Sequence, residues 1–187
     1  MPGSTKEALA SAMKKMMAVK PIEKITVKDI VELCGVNRQT FYYHFEDVYD
    51  LLEWIFEQDA EKSLPSRIVY EHWREDVLVF FKYLNDNRIF ALNVYNSNSR
   101  PYMLDFYKKK LGRCISGFAE IVSDGVTISR QDYDFVVEYY TQMIMGLITR
   151  WLDLNMVLPK QITVERFIAV LDNSVEEMLE KFAIKNS

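Results

Sequence analysis

Residues 26–45 read TVKDIVELCGVNRQTFYYHF, from Thr26 to Phe45, and their spacing encodes two short helices joined by a tight turn. Thr26 is a residue of N-cap type, and Asp29 stands three positions on, where a capping box needs it. Ile25 and Ile30 are placed to form the hydrophobic staple across that box. Val27, Ile30, Val31 and Cys34 give the first helix one apolar face. Gly35 suits a left-handed residue just past the helix end, and Asn37 can cap a second helix that begins at Arg38. At about 100° per residue, Phe41 and Phe45 share one side of this second helix and turn inward. Gln39, Thr40 and Tyr43 then point the opposite way, with Tyr42 and His44 on the flanks.

This is the layout of a helix-turn-helix, whose second helix enters the major groove of DNA. The side chains on the outward face match that task. Gln39 and Arg38 are of the types that make bidentate contacts to adenine and guanine, and the Thr40 methyl can meet a thymine methyl. The hydroxyl of Tyr42 and the ring of His44 suit phosphate oxygens, which fix register without reading sequence. The helix after Thr26 offers backbone N–H groups to a phosphate, and Lys28 in its first turn adds charge.

Outward from this stretch, the chain reads as helices throughout. An i, i+3, i+4, i+7 pattern of Leu9, Ala12, Met13 and Met16 marks a first helix from residue 5, with Lys14 and Lys15 off the stripe, ending before Pro21. Asp47 can cap a fourth helix through Leu51, Leu52, Ile55 and Phe56 to about Ser63. Leu64-Pro65-Ser66 then sets a boundary. Further helices are expected near 70–86 and 88–95, with a polar loop at 96–101, and again at 102–122. A capping box of Ser129 and Asp132 opens a long helix to about 155, ended before Pro159. Thr163 caps a last helix to about 183. The expected division is a helix-turn-helix domain at 1–46, a connecting fourth helix at 47–65 and a helical body at 66–187.

Composition sets bounds on function. The chain has 187 residues, 49% apolar and 27% charged, which is globular composition. No apolar run approaches the 18 or so residues a membrane span needs, and the N-terminus has no signal-peptide core, so a cytoplasmic protein is expected. The net charge of −4 excludes a generally basic nucleic-acid coat. Residues 1–45 nonetheless carry +3 and the remainder −7, as suits a basic reading head on an acidic body. Two distant cysteines, Cys34 and Cys114, make no disulfide framework. His44 and His72 have no partners at metal-ligand spacing. No H-E-x-x-H, C-x-x-C, Walker loop or G-x-S-x-G occurs, so neither a metal, a cofactor nor a catalytic site is expected.

The run VNRQTFYYHFEDVYDLL, with the helix before it, resembles the DNA-binding domain of TetR-type transcriptional regulators over roughly residues 5–63. The resemblance implies an all-α fold: three N-terminal helices that bind DNA, and a larger helical body for ligand and dimer contacts. Carried over by position, Gln39, Thr40 and Tyr43 face bases, while Tyr42, His44, Lys28 and Thr26 contact phosphates. One departure stands out. The family commonly has a lysine near the start of the fourth helix, where this chain reads Glu46-Asp47-Val48. RQTFYYHF followed by YDLLEWIF is similar, more narrowly, to the regulators grouped with the dihydroxyacetone-kinase operon activator. In that group a separate protein can sense the small molecule, which keeps activation open beside repression.

In the body, Val164, Ile168, Leu171, Val175, Met178 and Phe182 follow coiled-coil spacing and form the expected dimer seam. The long helix before them carries two apolar stripes: Tyr133, Val136, Tyr140, Met143 and Leu147, then Val137, Ile144, Ile148 and Trp151. A helix of that apolar width needs cover on both sides. The TetR-type dimer, a bundle of two helices from each chain, provides it; a monomer with a compact core is the alternative. Aromatic density in the body fits a small-molecule pocket, with Gln142, Arg150 and Trp151 as expected ligand contacts. The resulting expectation is a dimer that binds a palindromic operator under the control of a small molecule or a partner protein. A protein-interaction co-regulator that does not read DNA by itself is the first alternative, and a small all-α enzyme the second.

Overall fold

The computed structural model describes residues 4–63, 72–157 and 164–183. In chain order the helices are α1 (Thr5–Met17), α2 (Val27–Cys34), α3 (Arg38–His44), α4 (Val48–Ser63), α5 (Trp73–Asp86), α6 (Arg88–Tyr95), α7 (Arg100–Val122), α8 (Arg130–Asp153), α9 (Val164–Leu171) and α10 (Ser174–Lys181). A 3₁₀ turn lies at Ile22–Lys24. The described residues contain no strand, so the fold is all-α. No helix among them is long and apolar enough to cross a membrane.

By internal packing the chain divides into two units, Met1–Lys62 with Asn87–Leu104, and Ser63–Asp86 with Asp105–Ser187. The expected cut at Leu64-Pro65-Ser66 falls outside the described residues. The division differs from a linear one: residues 87–104 belong to the unit that holds α1 to α3, and so does most of α4. In this first unit α1 packs on α2 and on α6, and α2 packs on α3. Leu9, Met13, Ile30, Phe41, Leu51 and Phe56 are among its fully buried side chains.

Polar groups pin this unit as well. Asn93 on α6 donates to the carbonyls of Met17 (2.9 Å) and Lys20 (3.0 Å) and accepts from Ile22 N–H (3.2 Å). One side chain thus satisfies the backbone that α1 leaves open at its end. Lys14 reaches both carboxylate oxygens of Asp59 (2.6 and 2.8 Å), and Asp59 is buried. Lys14 also lies 5.0 Å above the Phe90 ring. Removing one partner of such a buried pair destabilises strongly, by about 3–5 kcal/mol.

In the second unit, α8 packs on α10, and α9 on α5 and α10. Tyr133, Val136 and Tyr140 of α8 share a core with Ile115, Ala119, Leu171, Val175 and Leu179. The last helix corrects the expectation of a continuous rod to about 183. It breaks after Leu171, where Asn173 adopts the left-handed conformation (φ 59°). Ser174 Oγ donates to the Leu171 carbonyl (2.9 Å), and Asp172 pairs with Arg74. Three short polar residues, Asp172, Asn173 and Ser174, compete with the helix for its own backbone bonds, and Asn tolerates the left-handed turn. The expected Thr163 cap falls outside the described residues. The polar loop at 96–101 is shorter than expected, because α7 begins at Arg100 with Pro101 in its first turn, where a missing N–H costs nothing.

Candidate nucleic-acid interface

Local hydrogen bonding positions α2 and α3. Thr26 Oγ1 accepts from Asp29 N–H (3.2 Å), and Asp29 Oδ2 accepts from Thr26 N–H (2.9 Å), closing the capping box. Asp29 Oδ2 also accepts from the Thr26 hydroxyl and from Lys20 Nζ, each at 2.9 Å. Lys20 is the largest cause that holds the Asp29 acid down at about 2, followed by the Thr26 amide and hydroxyl. The box limits what the start of α2 offers a phosphate. Two of the four open amides at the start of α2 are already satisfied, and the Thr26 hydroxyl is engaged. Helix geometry leaves the amides of Val27 and Lys28 for a phosphate.

Gly35 ends α2 in the left-handed region (φ 71°), and its conformation turns the chain towards α3. Asn37 Oδ1 then accepts from both Thr40 N–H (2.8 Å) and the Thr40 hydroxyl (3.0 Å). Thr40 is half-buried and its hydroxyl proton is engaged, so towards a base it offers its methyl and the lone pairs of its oxygen. Phe41 and Phe45 are buried, as the periodicity requires, and Phe45 meets Trp54 at 6.0 Å.

The outward face of α3 carries Arg38 and Gln39, both exposed, with Tyr42 58% and Tyr43 84% exposed. His44 is half-buried, its ring edge-on to Tyr43 at 4.9 Å. Thr26 and Lys28 are exposed on α2. Lys28 lies 3.8 Å from Glu32, with both side chains more than 60% exposed. Such a pair contributes only about 0.3–0.5 kcal/mol, so a phosphate can displace Glu32 readily.

The acidic residues at the start of α4 have a structural task. Asp47 Oδ1 accepts from Tyr49 N–H (2.7 Å) and Asp50 N–H (2.9 Å), capping the helix. Asp50 Oδ2 accepts from Glu46 N–H (2.8 Å). A cation that the sequence reading passed over lies in the same unit: Lys6 Nζ sits 5.3 Å from the Phe45 ring centre and 5.9 Å from that of Trp54. Its i, i+3 relation to Leu9 gives no hint of those distant rings.

The expected body residues lie apart from one another in their roles. Gln142 is exposed and donates to Glu138 Oε1 (2.6 Å), and Arg150 is exposed. Trp151 is buried and borders a depression with Met156 and Lys82. None of the three lines the apolar cavity of about 110 Å³ in the second unit, whose walls include Trp73, Asp76, Phe81, Phe118 and Tyr140. Of the expected dimer seam, Leu171 and Val175 belong to the chain's own core, and Ile168, Met178 and Phe182 pack against it half-buried. Val164 is half-buried beside Trp151. Burial pushes the Cys34 and Cys114 thiols up, so both are neutral at pH 7. Among the described residues no cluster of His, Cys, Asp or Glu could hold a metal ion.

A capped pair of short helices with a bare polar and aromatic second face, followed by a helical body, defines a helix-turn-helix regulator. The family of bacterial regulatory proteins called tetR matches residues 9–55, and a transcriptional regulator C-terminal region matches residues 71–173. The chain belongs to the TetR family of transcriptional regulators, a class of DNA-binding proteins and not of enzymes. It is 33% identical over 113 residues to the HTH-type dhaKLM operon transcriptional activator DhaS of Lactococcus lactis subsp. lactis (strain IL1403). That stretch is 59% of this chain and 60% of the relative's length. In fold it is similar to the structure of a dihydroxyacetone kinase operon activator DhaS, with TM-score 0.73 at 21% identity, covering 96% of this chain and 98% of that one. It is also similar to a TetR-family regulator from Rhodococcus sp., with TM-score 0.55 at 19% identity, covering 93% and 98%.

Proposed function

We propose that the chain is an operator-reading transcriptional regulator that binds a palindromic DNA site as a homodimer, under control of an effector that acts on its body. The observation that carries this reading is the bare outward face of α3, with Gln39 and Tyr43 in water above a buried Phe41 and Phe45. Gln39, Tyr43, Arg38 and the Thr40 methyl read bases; Tyr42, His44 and Lys28 hold phosphates, and the open amides of Val27 and Lys28 do so in place of Thr26, whose amide and hydroxyl Asp29 already takes. Two-fold symmetry sets two such helices about 34–36 Å apart, one DNA turn, or a modest increment beyond. The relative named as an operon activator supports activation as the sign of control. The effector, a small molecule or a partner protein, must bind one spacing of the two heads better than the other, since equal affinity shifts nothing.

The dimer reading draws support from α8. Its side away from the core keeps Phe135 55% and Tyr139 47% exposed, stacked at 6.3 Å. Gly146 falls on the same face at helical spacing and is exposed. A second copy of α8 gives this face the cover that water does not.

The test is selection of duplexes from a random pool, then anisotropy titration at several salt concentrations. A selected palindrome with two chains per site, and a log–log salt slope of about −0.9 per phosphate neutralised, is expected. Tyr42→Phe then weakens operator and random DNA alike, whereas Gln39→Ala and Tyr43→Ala relax preference at particular base pairs, by about 1–3 kcal/mol each. Equal losses on both DNAs for all three variants reject the division of roles. No enrichment from the pool supports the co-regulator alternative, in which the chain acts through another protein.

A further inference from the structure

A cleft of about 580 Å³ lies within the first unit, between the start of α4 and the start of α7. Four carboxylates line it, Glu46, Asp47, Asp50 and Glu53, and among the described residues no lysine or arginine does. Asp47 and Asp50 each give one oxygen to backbone amides. Glu46 and Glu53 are exposed, and among the described residues their side chains form no ion pair or hydrogen bond. Two rings border the same space, Tyr49 (51% exposed) and Tyr102 (47% exposed). Surface carboxylates alone are ordinarily just solvated. The wall beside them adds a second observation. Ser99 lines the cleft at 5% exposure, and its buried hydroxyl has no hydrogen-bond partner among the described residues. A buried hydroxyl left unmet is costly.

The spread of charge limits the occupant. Among the described residues no group of acids is gathered closely enough to hold a metal ion, so one point charge cannot serve all four carboxylates. Asp50 and Glu53 stand about 4.5 Å apart along the α4 axis, at 1.5 Å of rise per residue. A linear chain with ammonium groups a few methylenes apart matches that spacing. Tyrosine rings give its methylenes an apolar bed, and their faces attract ammonium groups. An ammonium only donates, so it supplies the partner that the Ser99 oxygen lacks. A basic peptide fits less well, because its backbone N–H and C=O groups need partners of their own, and the lining offers Asn98 and Ser99 alone as small uncharged polar side chains. We propose that this cleft binds a linear aliphatic polyamine, its ammonium groups meeting Glu46, Glu53 and the Ser99 hydroxyl. Glu46 directly follows Phe45, the C-cap of α3, so the bound cation also offsets negative charge beside the reading helix. The site depends neither on the operator reading nor on the cavity of the body.

The experiment is calorimetry on the full chain without DNA, with spermidine as the probe and butylamine, magnesium chloride and trilysine beside it at equal ionic strength. Spermidine is expected to bind at one site per chain, at least tenfold more tightly than any of the other three. Glu53→Gln is expected to lower spermidine affinity at least fivefold. Glu61→Gln, an equal loss of charge on the same helix outside the cleft, is expected to change it less than twofold. Ser99→Ala removes no charge and is expected to lower it at least threefold. Equal losses in Glu53→Gln and Glu61→Gln assign the binding to diffuse charge and overturn the proposal. So do butylamine or magnesium binding as tightly as spermidine, and spermidine affinity unchanged in Ser99→Ala. Trilysine binding as tightly as spermidine, or more so, overturns it in favour of a protein segment. The rank order of the four probes on the unmodified chain decides the matter even if a variant fails to fold.

Discussion

Asp29 does the most local work of any residue in the reading head, because one carboxylate oxygen serves the Thr26 amide, the Thr26 hydroxyl and the Lys20 ammonium. Its acid is held from 3.8 down to about 2 in the folded chain. A group with a depressed folded pKa contributes stability that is present above its unfolded pKa and lost as pH falls through the folded one. Asp29→Asn should therefore lower Tm by a constant amount above about pH 4. The gap between the two proteins should then close as pH falls towards 2. Thermal unfolding across pH 2–7 checks this; a gap that persists at pH 2 assigns the loss to something other than the carboxylate charge. This box was legible from Thr26 and Asp29 alone, because capping acts over three residues. The pairing of Lys14 with Asp59 was not. Those residues stand 45 positions apart, and a lysine off the apolar stripe reads as solvated until the fold sets a buried carboxylate beside it.

At the scale of elements, short-range signals again carried the reading and long-range ones did not. Gly35 and Asn37 set the turn between α2 and α3 where expected. In α8 the two stripes are each half right. The buried line runs through Tyr133, Val136 and Tyr140 and then Ile148 and Trp151, crossing from the first stripe into the second. An untwisted helix of 3.6 residues per turn drifts in this way relative to a strict heptad. The last helix misled most. The seam spacing of Leu171, Val175, Met178 and Phe182 assumes unbroken phase across Asn173. The break changes the phase, so Leu179 is fully buried instead of Met178. The break gives a prediction whose sign decides. In a continuous helix Asn173→Ala stabilises by about 0.5 kcal/mol, because alanine is the better helix former. At a left-handed position the same change destabilises by about 1 kcal/mol. Urea titration of Asn173→Ala is expected to show the loss, and Asn173→Gly to be tolerated.

For the whole molecule the question is which apolar surface the chain uses for itself and which the proposed dimer would cover. The coiled-coil spacing of residues 164–182 first pointed to a seam between chains, yet Leu171 and Val175 lie in a core with Val136, Tyr140 and Ile115. One apolar surface still in water is the far side of α8, where Phe135 stacks on Tyr139 and meets Phe182 at 5.9 Å. Two substitutions separate these roles. Leu171→Ala removes buried volume and should destabilise the chain by about 2–4 kcal/mol, with dimerisation lost only through unfolding. Tyr139→Glu replaces a ring that is 47% exposed, so the single chain should keep its helicity. If the proposed two-fold interface is centred on this face, however, a charge there would meet its own copy across the axis and be repelled. Sedimentation should therefore show Tyr139→Glu as a folded monomer, and operator affinity should fall at least tenfold, because one head alone holds half the site. A Tyr139→Glu protein that sediments as a dimer moves the interface off α8. A Leu171→Ala protein that is monomeric yet fully stable returns it to the seam that the spacing first implied.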